Sequence, residues 1–258
     1  MSVSIITPVH NASRYIGESI ESVLGQSFSD WEMIIVDDCS TDNSVNIIQS
    51  FSDNDSRINL IQLSENSGAA VARNAAIGAA QGRYIAFLDS DDIWMPHKLA
   101  TQLAFMQSNN YPFVYSAYGK IDEEGRVIGH IGVPDKVSYS DLLKTCSIGC
   151  LTAIYDTAYF GKVTMPLIRK RQDFGLWLKL LKEVDFAYGI KDTLGQYRVR
   201  SNSISSNKAS TVTYTWRLYR EIEKLSVIKA SYYFLHYAMR GVLRTKAPGL
   251  ARKLGVLN

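Results

Sequence analysis

Asp89, Asp91 and Asp92 stand within four residues, separated only by Ser90, at the end of the apolar run Ile85–Leu88. Like charges at about 4 Å repel by about 1 kcal/mol even in water. The cluster therefore calls for a bound cation, basic neighbours, or exposure in a solvated turn. A hard divalent cation such as Mg2+ or Mn2+ takes oxygen ligands and commonly bridges one or two carboxylates to substrate phosphates. Asp89 and Asp91, one residue apart, can both approach a ligand–metal unit if the backbone turns between them. An Asp-x-Asp match alone reads first as a solvated acidic turn. A second acidic pair, Asp37-Asp38, follows another apolar run, "MIIV". Two such exits from buried segments turn the reading towards a site. Asp173 opens a helix-like segment, and on local context it is a carboxylate complementing a helix dipole, worth about 0.3–1 kcal/mol.

The elements that must position these residues alternate along the first hundred positions. "VSIITPV" (3–9), "EMIIVDD" (32–38), "INLIQL" (58–63) and "RYIAFLD" (83–89) are Val/Ile-rich runs that read as buried parallel strands. Between them, Tyr15, Ile16, Ser19, Ile20, Val23 and Leu24 follow the helical period, and Val45, Ile47, Ile48 and Phe51 do so more weakly. Residues 69–80 form an Ala-rich helix stopped by Gly82, and Pro96 opens another at the favoured first position. Strand–helix alternation implies right-handed crossovers and an open α/β sheet, with ligands beyond the carboxyl ends of the strands. Those ends are Thr7–Asn11, Asp37–Ser40, Asn66–Gly68 and Asp89–Asp92. Beyond residue 110, "PFVYSAYGKID", "RVIGHIGV" and "CLTAIYD" read as strands, "QDFGLWLKLLKEV" (172–184) as a helix, and the chain from about 213 as helix throughout.

The composition, 46% hydrophobic and 21% charged, is that of an ordinary globule. A formal charge of +3 gives no indication of nucleic-acid binding, but it is unevenly spread. Residues 217–258 hold nine Lys/Arg against Glu221 and Glu223, a net of +7, which leaves −4 on the first 216. Cys39, Cys146 and Cys150 have no companion set for zinc and read as thiols of a reducing compartment. His97, His130 and His236 are isolated and lack metal spacing. The start "MSVSIITPVH" has neither a basic n-region nor a cleavage site, so no signal peptide is expected. No apolar stretch reaches the 18 residues of a spanning helix.

"SVSIITPVHNASRYIGESIESVLGQSFSDWEMIIVDDCSTDNS" followed by "ENSGAAVARNAAIGAAQGRYIAFLDSDDIWMP" resembles the family-2 glycosyltransferases of the GT-A fold. The likeness is dense over residues 2 to about 105, thinner through "RQDFGLWLKL" and "YRVRSNSIS", and fades after about 208. It implies a Rossmann-like, mostly parallel central sheet flanked by helices, with a C-terminal helical extension. The implied organisation is a transferase domain over 1–210, with a nucleotide-sugar half (1–110) and an acceptor half (111–210), then a basic amphipathic tail (211–258). By the same resemblance Thr7, Pro8, His10 and Asn11 line the base pocket, where His10 replaces the family's usual Tyr. Asp38 binds the base and Arg73 faces the sugar-nucleotide. Asp89, Ser90 and Asp91 form the nucleotide and metal motif, with Asp91 the direct ligand of Mn2+ or Mg2+ and Asp89 nearer the ribose. Asp173 falls where the family places its catalytic base, with Gln172 in place of the usual Glu. Arg198 or Arg200 supplies positive charge for the diphosphate.

Trp94, just past the acidic turn, is an aromatic that could stack on an acceptor sugar, and Gln172 and Trp177 join it as acceptor-side candidates. The helical spacing of Trp177 also fits a core position.

The implied activity is an inverting, metal-dependent transfer of a hexose or N-acetylhexosamine from a nucleotide sugar, UDP-linked by preference. The implied acceptor is a lipid-pyrophosphate-linked glycan in bacterial surface polysaccharide or lipopolysaccharide synthesis. The tail interleaves Tyr, Phe, Leu and Val with Arg and Lys, a pattern suited to an anionic membrane surface. A cytoplasmic enzyme, peripheral at the inner face of the membrane, is expected. Two alternatives compete. A nucleotidyltransferase also uses acidic strand exits, but "TPVHNASRY" lacks the Gly cluster it would need. An inactive nucleotide-sugar-binding relative would not be expected to keep Asp38, Asp89, Asp91 and Asp173 together.

Overall fold

A computed structural model describes residues 3–200, 208–246 and 249. Its sheet begins with four parallel strands: β1 (Val3–Val9), β2 (Trp31–Asp37), β3 (Ile58–Gln62) and β4 (Tyr84–Phe87), in spatial order β3-β2-β1-β4. Successive side chains of a strand point to opposite faces. Accordingly Val3, Ile5, Met33, Ile35, Tyr84 and Ala86 enter one core, and Ile6, Ile34, Val36, Ile85 and Phe87 the other. The first core is closed by α1 (Ile16–Leu24), α2 (Ser44–Ser52) and α4 (Lys98–Asn109). The second is closed by α3 (Ala69–Ala79), α5 (Tyr139–Lys144) and α7 (Gln172–Leu180). Both faces of the sheet are covered, which is why these strands read as unbroken apolar runs.

Beyond β4 the sheet becomes mixed. β5 (Ile93–Trp94) pairs antiparallel with β10 (Ala187–Arg198), which runs parallel to β6 (Phe113–Ile121). β9 (Ile154–Asp156) joins the halves, antiparallel to both β4 and β6, and is followed by the short α6 (Thr157–Phe160). β7 (Val127–Ile131) and β8 (Lys136–Val137) pair with β6 and β10. The segment "CLTAIYD" forms a 3-10 turn at Cys150–Thr152 before its strand starts.

The C-terminal helix expected as continuous is broken. α8 (Lys208–Arg217) runs into a π-helical segment, Leu218–Ile222, and α9 (Val227–Lys246) starts afresh. The buried carboxylate of Glu223 accepts the Tyr139 hydroxyl at 2.5 Å and pairs with Lys182 at 2.7 Å, pulling the chain out of line. Lys224 then adopts φ 52°, and the Arg220 guanidinium donates to the Leu225 carbonyl. Leu218, Tyr219 and Ala230 join the second core, so this segment packs with the sheet's own helices. Residues 201–205 of "YRVRSNSIS" with the following 206–207, and 247–258 of the expected tail apart from 249, lie outside the described residues.

Candidate active site

The strand exits open into one cleft of about 1640 Å³. Its floor includes Pro8, His10, Asp38, Arg73, Asp89, Ser90 and Asp91, and Gln172 and Asp173 face them from the other half of the chain. Asp38 is held by backbone: its two oxygens accept the amides of Ser67 and Gly68 at 2.7 and 2.8 Å. Gly68 sits at φ 88°, a left-handed conformation that glycine adopts without cost and that aims both amides inward. His10 Nδ1 lies 2.8 Å from the Asp38 carbonyl, and Asn66 donates to that same oxygen at 3.1 Å. This wall of the cleft is therefore cross-tied by the protein's own groups.

Arg73 is the hub of the cleft. Its Nη2 donates to Asp89 Oδ1 at 2.5 Å and its Nη1 to Gln172 Oε1 at 2.9 Å, while Nε has no acceptor. Burial alone would make the guanidinium easier to deprotonate; the fields of Asp89 and Asp173 outweigh it and hold the proton more firmly than usual. Asp91 makes an ion pair with Arg200, Oδ2 to Nε at 2.7 Å, without the alignment of a hydrogen bond. Burial pushes the Asp91 carboxyl up, Arg200 pulls it down, and Asp89 pushes it up again, with a net rise. Asp92 is buried and accepts the Arg198 amide at 2.9 Å. Burial and the neighbouring carboxylates raise its pKa well above the ordinary range, so it shapes the turn.

Arg73 takes Oδ1 of Asp89 and Arg200 takes Oδ2 of Asp91, leaving the second oxygen of each carboxylate outside these pairs. Among the described residues no three His, Cys, Asp or Glu side chains gather to hold a metal. That donor set fits Mg2+ or Mn2+ as usually bound with a nucleotide, by one or two carboxylates plus substrate phosphates. It does not fit a zinc site closed by protein ligands alone.

Asp173 lies in the first turn of α7, just behind Gln172, whose Nε2 donates to the Arg169 carbonyl at 3.1 Å. Arg171 precedes them at φ 67°, a left-handed conformation that costs a non-glycine residue about 1–3 kcal/mol and clusters at functional sites. α7 approaches the preceding loop through Gly175, where a Cβ would stand 2.4 Å from Pro166 Cγ.

Several expected site residues are elsewhere. Thr7 is fully buried within β1, and Asn11 lines a separate small depression beside Arg14, its Oδ1 accepting the Thr41 amide. Trp94 is 2% exposed because β5 is drawn into the sheet beside β10; its Nε1 donates to the Leu151 carbonyl at 3.0 Å. Trp177 lies on the buried face of α7 against Phe87 and Phe113. Neither tryptophan offers a sugar a face. Arg198, 1% exposed, is also withdrawn: it donates to the Asp91 carbonyl at 2.9 Å and to Glu18 at 2.5 Å. Of the neighbours Arg198 and Arg200, the second is the one that lines the cleft.

The sequence reading missed Cys150, whose thiol is pushed well up by burial and by Asp89 beside Arg73 and Asp173. It also missed the cleft-lining run Arg169-Lys170-Arg171 and Arg240 of α9. One signal was available: three cations just ahead of a helix oppose its dipole.

The sequence profile of glycosyl transferase family 2 matches residues 4–161. The chain belongs to that family. It is 48% identical over 241 residues to the putative teichuronic acid biosynthesis glycosyltransferase TuaG of Bacillus subtilis, a match covering 93% of this chain and 96% of that one. It is 39% identical to an Escherichia coli enzyme, UDP-Glc:alpha-D-GlcNAc-diphosphoundecaprenol beta-1,3-glucosyltransferase WfgD, over 93% of each chain. Among solved structures, Staphylococcus aureus TarS 1-349 in complex with UDP superposes with a TM-score of 0.72 at 22% identity, over 97% of this chain and 75% of that one. The fold is thus that of the GT-A transferases, and the protein is a glycosyltransferase. By their names, the first of these relatives is assigned to teichuronic acid biosynthesis and the second transfers glucose from UDP-Glc to an undecaprenyl-diphosphate-linked GlcNAc.

Proposed function

We propose that this glycosyltransferase moves a hexose or N-acetylhexosamine from a UDP-sugar to a lipid-diphosphate-linked sugar, with inversion, during bacterial surface polysaccharide assembly. The observation that carries the reading is the meeting, in one cleft, of Asp89 and Asp91 with Arg73 and, from the far half of the chain, Asp173. Pro8, His10 and Asp38 bound the base, and Ser90 and Asp89 the ribose side. Asp91 and Asp89 would hold Mg2+ or Mn2+, which neutralises the charge that develops on a leaving diphosphate. Asp173 removes the acceptor hydroxyl's proton as that oxygen bonds to the anomeric carbon and the bond to the nucleotide diphosphate breaks on the opposite face. Among the described residues nothing donates to the Asp173 carboxylate, which leaves both oxygens available as acceptors. One displacement with one base inverts the anomeric centre.

We also place the enzyme at the inner face of the cytoplasmic membrane. Among the described residues no helix is long and apolar enough to cross a bilayer. α9, however, packs Ala230, Tyr233 and Phe234 inward and leaves Ile228, Tyr232, Leu235, Met239 and Val242 more than half exposed. Their spacing of four and three residues makes one continuous stripe. With the net charge of +7 beyond residue 216, that stripe suits an anionic bilayer surface.

Transfer from UDP-sugars to a glycosyl diphosphate lipid tests the activity. Asp173→Asn should lower kcat at least a hundredfold, and Asp91→Asn should abolish the metal dependence of UDP binding. Transfer by Asp173→Asn at the wild-type rate would remove the base assignment. Flotation with anionic vesicles should be lost when Ile228, Leu235 and Val242 become Ser. Undiminished flotation would refute the membrane face.

A further inference from the structure

The cleft has two electrostatic ends. Asp38, Asp89 and Asp91 lie at one, the strand exits, two of them paired with Arg73 and Arg200; the other is lined by Arg169, Lys170 and Arg171 of the loop before α7 and by Arg240 of α9. The basic end is built from two elements that meet. The Arg171 guanidinium donates to the Tyr237 hydroxyl and lies 5.3 Å from the centre of that ring. Tyr237 and Arg240 are three residues apart on α9 and so neighbours on one side of the helix. Arg171 Nε is buried without an acceptor. The carboxylate that faces this rim is Asp141 of α5, which feels the charge of Arg240 and already accepts the Ser138 hydroxyl and meets Lys144 at 3.7 Å.

We propose that Arg169, Arg171 and Arg240 form a subsite for the diphosphate of the acceptor, distinct from the donor diphosphate at the acidic end. This deepens the proposed function and rests on it for the acceptor's identity. At the donor end Arg73 and Arg200 are already paired with Asp89 and Asp91, whereas Arg171 keeps a buried Nε without an acceptor for a phosphoanion. Arg171 precedes Asp173 by two residues, so the anion site adjoins the base at the start of α7. The acceptor is therefore a short glycosyl diphosphate, its attacking hydroxyl on the sugar that bears the diphosphate. The enzyme acts early in chain assembly, after a reaction that links a first sugar to the lipid diphosphate. The rim borders α9, whose outer stripe would receive the lipid chain.

The test uses the full-length protein in two arms. In the first, inorganic pyrophosphate is titrated in EDTA, which strips the donor side of its cation, and UDP is then added as a competitor. The pyrophosphate should bind, and Arg169→Gln and Arg240→Gln should each weaken it about tenfold, with Arg169→Lys restoring most of the loss. Failure to bind, displacement by UDP, or indifference to both Gln variants would overturn the subsite. In the second arm, kcat/KM is compared for a glycosyl diphosphate, its monophosphate and an alkyl glycoside of the same sugar. Wild type should prefer the diphosphate, and the Gln variants should lose that preference about tenfold without a rise in donor KM. A loss equal across the three acceptors, or one confined to donor KM, would overturn the assignment. Metal-free pyrophosphate binding in an enzyme that transfers to none of the acceptors would uphold the anion site and refute the acceptor class.

Discussion

Lys98 opens α4 and is fully buried, its Nζ donating to Gln102 Oε1 at 2.5 Å and standing 4.0 Å from the centre of the Trp94 ring. Burial lowers its pKa to about 7, against about 10.4 in an unfolded chain. Between those values the unfolded chain binds the proton and the native one does not, so native stability rises with pH by up to about 1.4 kcal/mol per unit. Over three units that sums to about 4 kcal/mol, an upper bound because the Trp94 face favours the ammonium. Lys98→Met removes the charge and leaves Gln102 Oε1 without its donor, a cost of about 1–3 kcal/mol at any pH. The variant should therefore be about 2 kcal/mol more stable than wild type at pH 7 and about 2 kcal/mol less stable at pH 10. Urea unfolding of both proteins from pH 6.5 to 10, with chelator present, reads the two curves. Parallel curves would refute the reasoning, as would a variant less stable than wild type throughout.

Arg73→Met should lower stability by about 3 kcal/mol, since breaking a buried pair strands its partner. Combined with Asp89→Asn the loss should be clearly less than the sum, measured by a double-mutant cycle in urea. Gly175→Ala should cost about 1–3 kcal/mol, because the new methyl meets Pro166 and forces α7 aside. Its kcat should fall along with its melting temperature, since α7 carries Asp173. Trp177→Ala should destabilise by about 3–5 kcal/mol, the cost of a large core cavity, and leave acceptor KM unchanged in the fraction that stays folded at low temperature.

Much of the frame was legible because burial on both faces makes a strand an unbroken apolar run. β1 at Val3–Val9 and β2 at Trp31–Asp37 lie within one residue of their expected bounds. The second half was harder. β10, "AYGIKDTLGQYR", has register shifts and a burial pattern without regular alternation, so no period announced it. Within the site, local signals fixed which residue types mattered but not which of two near neighbours reached the cleft. Arg198 and Arg200 are two residues apart; only the pairing of β10 with β5 and β6 withdraws the first. Trp94 was misjudged for the same reason, its burial being decided by a strand a hundred residues away. The basic rim depends on α9 folding back against the loop before α7, a contact that sequence spacing does not express.

The tie between Arg198 and the acidic turn also orders events at the ribosome. Asp92 and Asp91 wait for a partner 106 and 107 residues further along. At 5–20 residues per second, that is a delay of about 5–20 s in which the turn is made with Arg73 but without its later partners. The segment matched by the family profile ends at residue 161, so a fragment cut there would carry the acidic signature with Arg73 but without Arg198 and Arg200, which hold Asp92 and Asp91. Completion of this site is a late step in biogenesis, and nascent chains paused before residue 198 should be the ones that chaperones and proteases find.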